Sequence, residues 1–198
     1  MPILTWLLRV NGVRCAVQEQ WADFRWLRPP PTGLTARITR AVELFPSELL
    51  FIHRDAERGP YHARRDEIER AVADTTFEEG RQPAWVCVVP VRMQEAWLLF
   101  GETAIRRAAG NPSGTVHLGL PDLRRCEDLP NPKRMLHDLI LRATELGVRR
   151  RARLSVGQMV HRVAEYCEDF SPLRHLPAFT ALERDLQEAI RLNGWNQR

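Results

Sequence analysis

The chain of 198 residues contains only one lysine, Lys133, among 29 basic residues. Its formal net charge of +4 therefore comes almost entirely from arginine, whose guanidinium group matches the geometry of phosphate oxygens. This permits an anionic partner without requiring one, because a biased genome composition produces the same arginine excess. The chain also lacks any apolar run that approaches the roughly 20 residues needed to span a bilayer, so we expect no membrane association.

Several catalytic and metal-binding motifs are missing as well. The sequence contains neither the glycine-rich loops of nucleotide-binding proteins nor the G-x-S-x-G motif of serine hydrolases. The stretch from His53 to Asp55 matches the opening of a kinase catalytic loop, but no D-F-G motif follows it. The four cysteines form no C-x-x-C pair and have no zinc-ligand spacing, which fits a reducing compartment. The first residues lack a basic leading segment and a cleavage site, so we expect a cytoplasmic protein.

Helix-like and strand-like segments alternate along the first half of the chain. Apolar residues spaced as on one face of a helix indicate three helices, and each of these segments precedes a strand-like one. This order predicts an α/β fold with a small parallel sheet and right-handed crossovers. The helical segments are residues 3–8, 34–45 and 63–73, and the strand-like segments are residues 13–17, 49–52 and 84–91.

The second half of the chain is predicted to be mainly helical. Pro132 near a first turn opens one helix, and Ser155 begins another. We therefore expect two parts. The first is an α/β core over residues 1–109, and the second is a helical C-terminal extension over residues 110–198 that packs on this core.

A charged cluster follows directly after the apolar run of residues 49–52, and it contains Asp55 and Glu57. Ligands of open α/β sheets bind at the carboxyl ends of parallel strands. If the extended geometry continues this far, both carboxylates point to the same side, where they repel each other unless a cation or proton relieves them. This suggests a divalent-metal site, and the alternative is a solvated loop in which the acids pair with arginines. Those arginines are Arg54, Arg58 and Arg64.

Two further residues are candidates for the same site. Glu95 lies just beyond the second apolar run and would meet the acids at the same sheet edge. Its other interpretation is a glutamate that stabilises the N-terminus of a helix. Lys133 lies in the first turn of a helix, where a cation opposes the helix macrodipole, so either a bound phosphate or simple solvation would explain it.

A basic segment without acids extends from Leu146 to Ala164. It is the best candidate for contact with the backbone of a nucleic acid, although such segments are usually solvated surface. The candidate contact residues in it are Arg149, Arg150, Arg151 and Arg153.

Five stretches carry a resemblance to a known family. They are LLFIHRDAE at 49–57, VPVRMQEAWLL at 89–99, AIRRAAGNP at 104–112, LPNPK at 129–133 and FSPLRHLPAFTAL at 170–182. They resemble the Toprim-like bacterial family catalogued as domain of unknown function 4276. The resemblance implies a small parallel sheet flanked by helices, with acids at strand ends that hold Mg²⁺ or Mn²⁺ for phosphoryl chemistry.

The resemblance also implies roles for individual residues in a Mg²⁺-dependent nuclease. Asp55 and Glu57 take the place of the family's acidic pair as metal ligands, and Glu95 takes that of a later acid. Glu95 would be a third ligand or the base that orients a water. Three cations could offset charge in the transition state, and the two arginines among them could also contact the nucleic acid. They are Arg54, Arg92 and Lys133.

One departure from the family leaves a second function open. Toprim folds usually begin with a strand that ends in a glutamate and a glycine turn, whereas this sequence starts at Met1 within the expected first helix. We therefore expect either a start further upstream or the lack of one strand and one acid. The alternative function is a non-catalytic binding module that partners an ATPase, for instance in defence against phage, and a homodimer is left open. Candidate interface anchors, if exposed, are Trp6, Trp21, Trp26 and Trp195.

Overall fold

A computed structural model describes residues 2–57, 59–78, 82–91 and 93–197. Within these ranges the chain forms two β-strands, eight α-helices and three short 3₁₀ helices. The strands are β1 (Leu49–His53) and β2 (Ala84–Val88). The helices are α1 (Pro2–Val10), α2 (Leu34–Leu44), α3 (Tyr61–Ala73), α4 (Glu102–Ala108), α5 (Pro132–Ala143), α6 (Val148–Arg151), α7 (Val156–Tyr166) and α8 (Pro177–Asn193). The 3₁₀ helices are Gln94–Leu98, Leu123–Asp128 and Ser171–His175.

The two strands pair in parallel, with Leu49 opposite Ala84 and His53 opposite Val88. Alternate side chains of each strand enter two separate apolar clusters, one on each face of the sheet. A strand buried on both faces needs apolar residues at successive positions, which is why both strands read as continuous apolar runs. The prediction of an α/β fold with a small parallel sheet is confirmed.

Helices cover both faces of this sheet. On one face, Ile38 of α2 and Ile68 and Val72 of α3 pack against Ile52 and Cys87 of the strands. On the other face α8 lies against β2, and its Phe179 ring meets the buried Trp97 at a centroid distance of 5.4 Å.

The larger of the two apolar clusters continues well beyond the sheet. It joins Leu7 of α1 and Ile105 of α4 to Ile140 of α5 and Leu186 of α8. Side chains from residues 1–109 and 110–198 thus share one apolar interior, and the division of the chain at this boundary stays a prediction.

The strand predicted at residues 13–17 is not formed, and that prediction was wrong. The segment is irregular, and its Val13 N–H donates to Leu8 O at the end of α1 (3.1 Å) rather than to a neighbouring strand. Val13 and Val17 both pack against the larger apolar cluster, so the alternation reflects real burial without strand pairing. The sheet in the described residues therefore has two strands instead of three.

The remaining sequence predictions agree more closely with the structure. The helices expected near residues 34–45 and 63–73 are α2 and α3, and Pro132 opens α5 as expected. Across the described part of the chain, no helix has both the length and the apolar character to cross a bilayer.

Candidate functional site

The parallel pairing of β1 and β2 continues past the strand ends. The backbone N–H of Arg54 donates to Val88 O, and that of Ala56 donates to Pro90 O, both at 3.0 Å. These bonds hold Asp55 in extended backbone at the carboxyl edge of the sheet. At Glu57 the backbone φ is +55°, in the left-handed region, so the chain turns away from the sheet. The carboxylates of Asp55 and Glu57 would share one side only if the extended backbone continued through Glu57. This condition is not met.

Asp55 faces His53, which is two residues earlier on the same side of the strand. Its Oδ1 lies 3.2 Å from His53 Nε2, a distance that suits an ion pair with a protonated imidazole. The two atoms are nevertheless not aligned for a hydrogen bond, and both are buried without any hydrogen-bond partner among the described residues. A buried polar atom without a partner is unfavourable by about 1–3 kcal/mol, so this pair of atoms is suited to receive a ligand.

Arg54 points to the opposite face of the sheet, where α3 packs. Its Nη2 lies 2.8 Å from Glu67 Oε1, and Nη1 of Arg64 lies 2.8 Å from Glu67 Oε2. Although burial raises the pKa of Glu67, the hydrogen bond from Arg64 and the charge of Arg54 together hold that pKa below its ordinary value. The sequence reasoning missed Glu67, although the Arg64–Glu67 spacing on a predicted helix was a signal for it.

Glu57 is largely exposed and is associated with α3 instead of Asp55. Its Oε2 lies 3.8 Å from Arg64 Nη2, and 71% of its side chain is accessible to solvent. This is the pairing that the solvated-loop alternative describes. Arg58, the second arginine of that alternative, lies outside the described residues. The proposed role of Glu57 as a metal ligand stays a prediction.

Glu95 lies in the first turn of the 3₁₀ helix Gln94–Leu98 and is half-buried. The structure gives its carboxylate no ion pair or hydrogen bond with any described residue. Glu95 therefore keeps both interpretations, a first-turn acid and a residue of the site. Arg92, the predicted cation just before it, lies outside the described residues.

Lys133 is exposed in the first turn of α5. The start of this helix is stabilised by Asn131, whose side-chain oxygen accepts the backbone N–H of Arg134 at 2.9 Å. In the described ranges Lys133 has no acidic partner, and α5 packs against the 3₁₀ helix that carries Glu95. Its role near a phosphate stays a prediction.

At the strand ends the described residues offer a metal two neighbouring donor atoms and no closed cage of ligands. No group of three histidine, cysteine or acidic side chains converges among the described residues. Asp55 and His53 supply two adjacent donors, one of which is a carboxylate oxygen. Mg²⁺ is typically held by one or two carboxylates together with substrate phosphates and waters, so of these two donors the Asp55 carboxylate is the one that suits Mg²⁺.

The basic segment after α5 presents uncompensated charge. Arg149, Arg150 and Arg153 are exposed, and Arg151 is half-buried. None of these four side chains pairs with an acid in the part of the chain that the structure describes. The surface formed by α6 is therefore free to contact an anion.

Comparison of the chain with models of protein families, with curated proteins and with solved structures found no match. The resemblance to the Toprim-like family, and the residue roles that it implies, therefore stay hypotheses that rest on the sequence motifs.

Proposed function

We propose that this protein is a Mg²⁺-dependent phosphodiester hydrolase with a Toprim-like site that acts on nucleic acid. One observation carries the proposal: Asp55 Oδ1 and His53 Nε2 are buried and adjacent at the carboxyl edge of the parallel sheet, and neither atom has a hydrogen-bond partner among the described residues. Ligands of α/β sheets bind at this edge, and a bound ligand would supply the hydrogen-bond partners that these buried polar atoms need.

In this proposal Asp55 is the principal metal ligand, and His53 lies beside it as a second donor or as a base. Mg²⁺ would polarise the scissile phosphate and lower the pKa of a bound water. Glu57 would become a metal ligand after its side chain moves away from Arg64. This movement is allowed because the Glu57 side chain is exposed and its Oε2 lies as far as 3.8 Å from Arg64 Nη2. Glu95 would be a third ligand or would orient the water.

The cations of the chain have separate tasks in the proposal. Arg54 is held by Glu67 and fixes the strand end against α3. Lys133 is exposed and unpaired within the described ranges, so it would offset charge on a phosphate. Arg149 to Arg153, on α6 and just after it, would contact the nucleic-acid backbone through guanidinium groups that have no acidic partner among the described residues.

The test combines metal binding with cleavage. Mn²⁺ binding is measured by calorimetry, and cleavage of a labelled oligonucleotide is measured with Mg²⁺, with Mn²⁺ and with EDTA. We expect the Asp55→Ala, Glu57→Ala double variant to bind Mn²⁺ at least about tenfold more weakly and to lose metal-dependent cleavage. The Asp138→Asn variant, which alters an exposed acid on α5, is the matched control and should behave as wild type.

Unchanged cleavage in the double variant would contradict the proposal. Loss of cleavage without any loss of Mn²⁺ binding would contradict the assignment of Asp55 and Glu57 as ligands.

A second function is favoured by a different observation. In the described residues Asp55 lies beside His53 and Glu57 beside Arg64, so the predicted acids do not converge as they stand. This favours a non-catalytic, Toprim-like module that works with an ATPase partner, for instance in phage defence. Co-purification with an ATPase, together with no cleavage under any divalent ion, would support this function over the first.

A further inference from the structure

Residues 9–40 form a second basic segment, besides the one that extends from Leu146 to Ala164. Residues 9–40 contain six arginines and two acids, a net charge of +4, which equals the net charge of the whole chain. The rest of the chain has equal numbers of basic and acidic residues. All six arginines are exposed. They are Arg9, Arg14, Arg25, Arg28, Arg37 and Arg40.

Most of this charge is not neutralised within the protein. Arg25 pairs with Asp23, and Arg40 pairs with Glu43. Among the described residues the other four arginines have no acidic partner. An excess of exposed guanidinium groups without acidic partners in one segment attracts a polyanion, and it favours phosphate because of the shape of the guanidinium fork.

The same segment exposes two large aromatic rings. Trp21 is 68% exposed and Trp26 is 59% exposed, whereas Trp6 and Trp195 are half-buried and pack against the larger apolar cluster. Exposed indole rings interleaved with arginines are the combination by which proteins bind single-stranded nucleic acid. Bases stack on the rings, and the cations follow the backbone.

The loop that carries the two rings is locally organised. The Asp23 carboxylate accepts the Arg25 backbone N–H at 3.0 Å, and the Arg28 guanidinium donates to the carbonyl oxygens of Arg25 (2.8 Å) and Leu27 (3.0 Å). Phe24 anchors the loop against Phe45 at the end of α2, with ring centroids 6.5 Å apart. A preordered loop loses less conformational freedom on binding, which favours affinity.

We infer that the surface formed by residues 9–40 binds single-stranded nucleic acid, with Trp21 and Trp26 as stacking platforms and the unpaired arginines as phosphate contacts. The charge and the exposed rings indicate single-stranded nucleic acid as the class of ligand. The inference deepens the proposed function by naming unpaired strands as the substrate, but binding by this surface requires neither the metal nor Asp55.

The test measures binding without cleavage. An end-labelled oligothymidylate of about 16 nucleotides is titrated in EDTA and followed by fluorescence anisotropy and by quenching of the tryptophan emission. We expect the Trp21→Ala, Trp26→Ala double variant to bind about tenfold more weakly or worse, and to lose most of the quenching. Leu192→Ala, which removes an equally exposed apolar side chain on α8, should leave both signals unchanged.

The contribution of charge is measured with Arg14→Gln and Arg37→Gln. Each change should reduce the slope of log affinity against log salt concentration by about 0.7, the value for one contact with a single-stranded phosphate. A duplex of the same length should produce less quenching, because its bases are not free to stack on the rings.

Three results would overturn the inference. The first is oligonucleotide binding by the tryptophan double variant that equals that of wild type. The second is binding that is lost only when the α6 arginines are replaced. The third is a tryptophan double variant that no longer co-purifies with a protein bound by wild type but still binds the oligonucleotide. The Asp55→Ala, Glu57→Ala variant separates the two proposals. It should bind the oligonucleotide in EDTA as wild type does, whether or not the wild-type protein cleaves.

Discussion

The four cysteines lie in different surroundings. Cys15 is exposed, whereas burial raises the pKa of the Cys87 thiol to about 12 and those of Cys126 and Cys167 to about 11. Because the thiolate is the reactive form, the three thiols with raised pKa values react slowly at neutral pH. We predict that a thiol reagent labels one cysteine per native chain rapidly and four in denaturant. The Cys15→Ser variant should lose the rapid phase, and two or more rapid thiols in wild type would contradict the prediction.

Glu127 is a carboxyl group buried in the larger apolar interior beside Trp97 and the first turn of α8. Burial raises its pKa, and this outweighs the lowering by the nearby Trp97 indole and the Ala178 backbone N–H. The contact with Trp97 falls short of a full hydrogen bond, and neither Glu127 Oε1 nor Trp97 Nε1 has a hydrogen-bond partner among the described residues. Ionisation of Glu127 is therefore less favourable in the folded protein than in the unfolded chain.

A raised pKa in the folded state links the stability of the protein to pH. The contribution of Glu127 is fully present below its ordinary pKa of 4.5 and is lost as pH rises through the higher folded value. We predict that Glu127→Gln, which cannot ionise, raises the melting temperature relative to wild type more at pH 8 than at pH 4. Calorimetric melts at the two pH values check this, and the opposite difference would show that the carboxylate is well stabilised.

At the scale of single elements, α5 and α7 are each preceded by a polar residue, but only one of the two helix starts is stabilised by a side chain. The Asn131 side chain accepts the Arg134 N–H at the start of α5, whereas the Ser155 side chain makes no such bond at the start of α7. We predict that Asn131→Ala lowers the free energy of unfolding by about 1 kcal/mol, and that Asn131→Asp does not. Ser155→Ala is the matched control and should have little effect in urea denaturation. Equal losses in the two alanine variants would contradict the assignment.

Elements also explain why one strand was predicted wrongly. Residues 13–17 alternate between apolar and polar, as a strand does, but alternation reports only which side chains are buried. A strand also needs a neighbour for its backbone hydrogen bonds, and the described residues provide none for this segment. The runs at β1 and β2 were recognised correctly because they are apolar at successive positions, which a short irregular segment rarely needs.

At the scale of the whole molecule, an ion pair joins the helices on opposite faces of the sheet. Arg65 Nη1 of α3 lies 2.6 Å from Asp185 Oδ2 of α8, and these side chains are 31% and 17% exposed. We predict that Asp185→Ala lowers the free energy of unfolding by about 1–2 kcal/mol, because it leaves a partly buried guanidinium without this partner. The pair Arg25–Asp23 has the same 2.6 Å length but is exposed, so Asp23→Ala should have a much smaller effect. A double-mutant cycle of Arg65 and Asp185 measures their coupling directly, and a coupling near zero would contradict the prediction.

Some features of the candidate site can be predicted from local sequence patterns, and others cannot. That acids follow β1 and β2 is readable from the sequence, as is the pairing of residues two apart on one face, such as His53 and Asp55. The turn at Glu57 is not readable, because a glutamate rarely adopts positive φ. The ion pair between Arg54 and Glu67 depends on where α3 packs, so it was missed.

Apart from residues 13–17, the sequence alone determined the predicted local elements of this protein, because helix periodicity, continuous apolar runs and turn residues act over a few neighbours along the chain. It also determined the chemistry available at each strand end. The tertiary structure decided which strands pair, which acid faces which cation and which tryptophans remain exposed. These outcomes depend on contacts between residues far apart in the chain, and burial and hydrogen bonding select among them only when the whole interior is assembled.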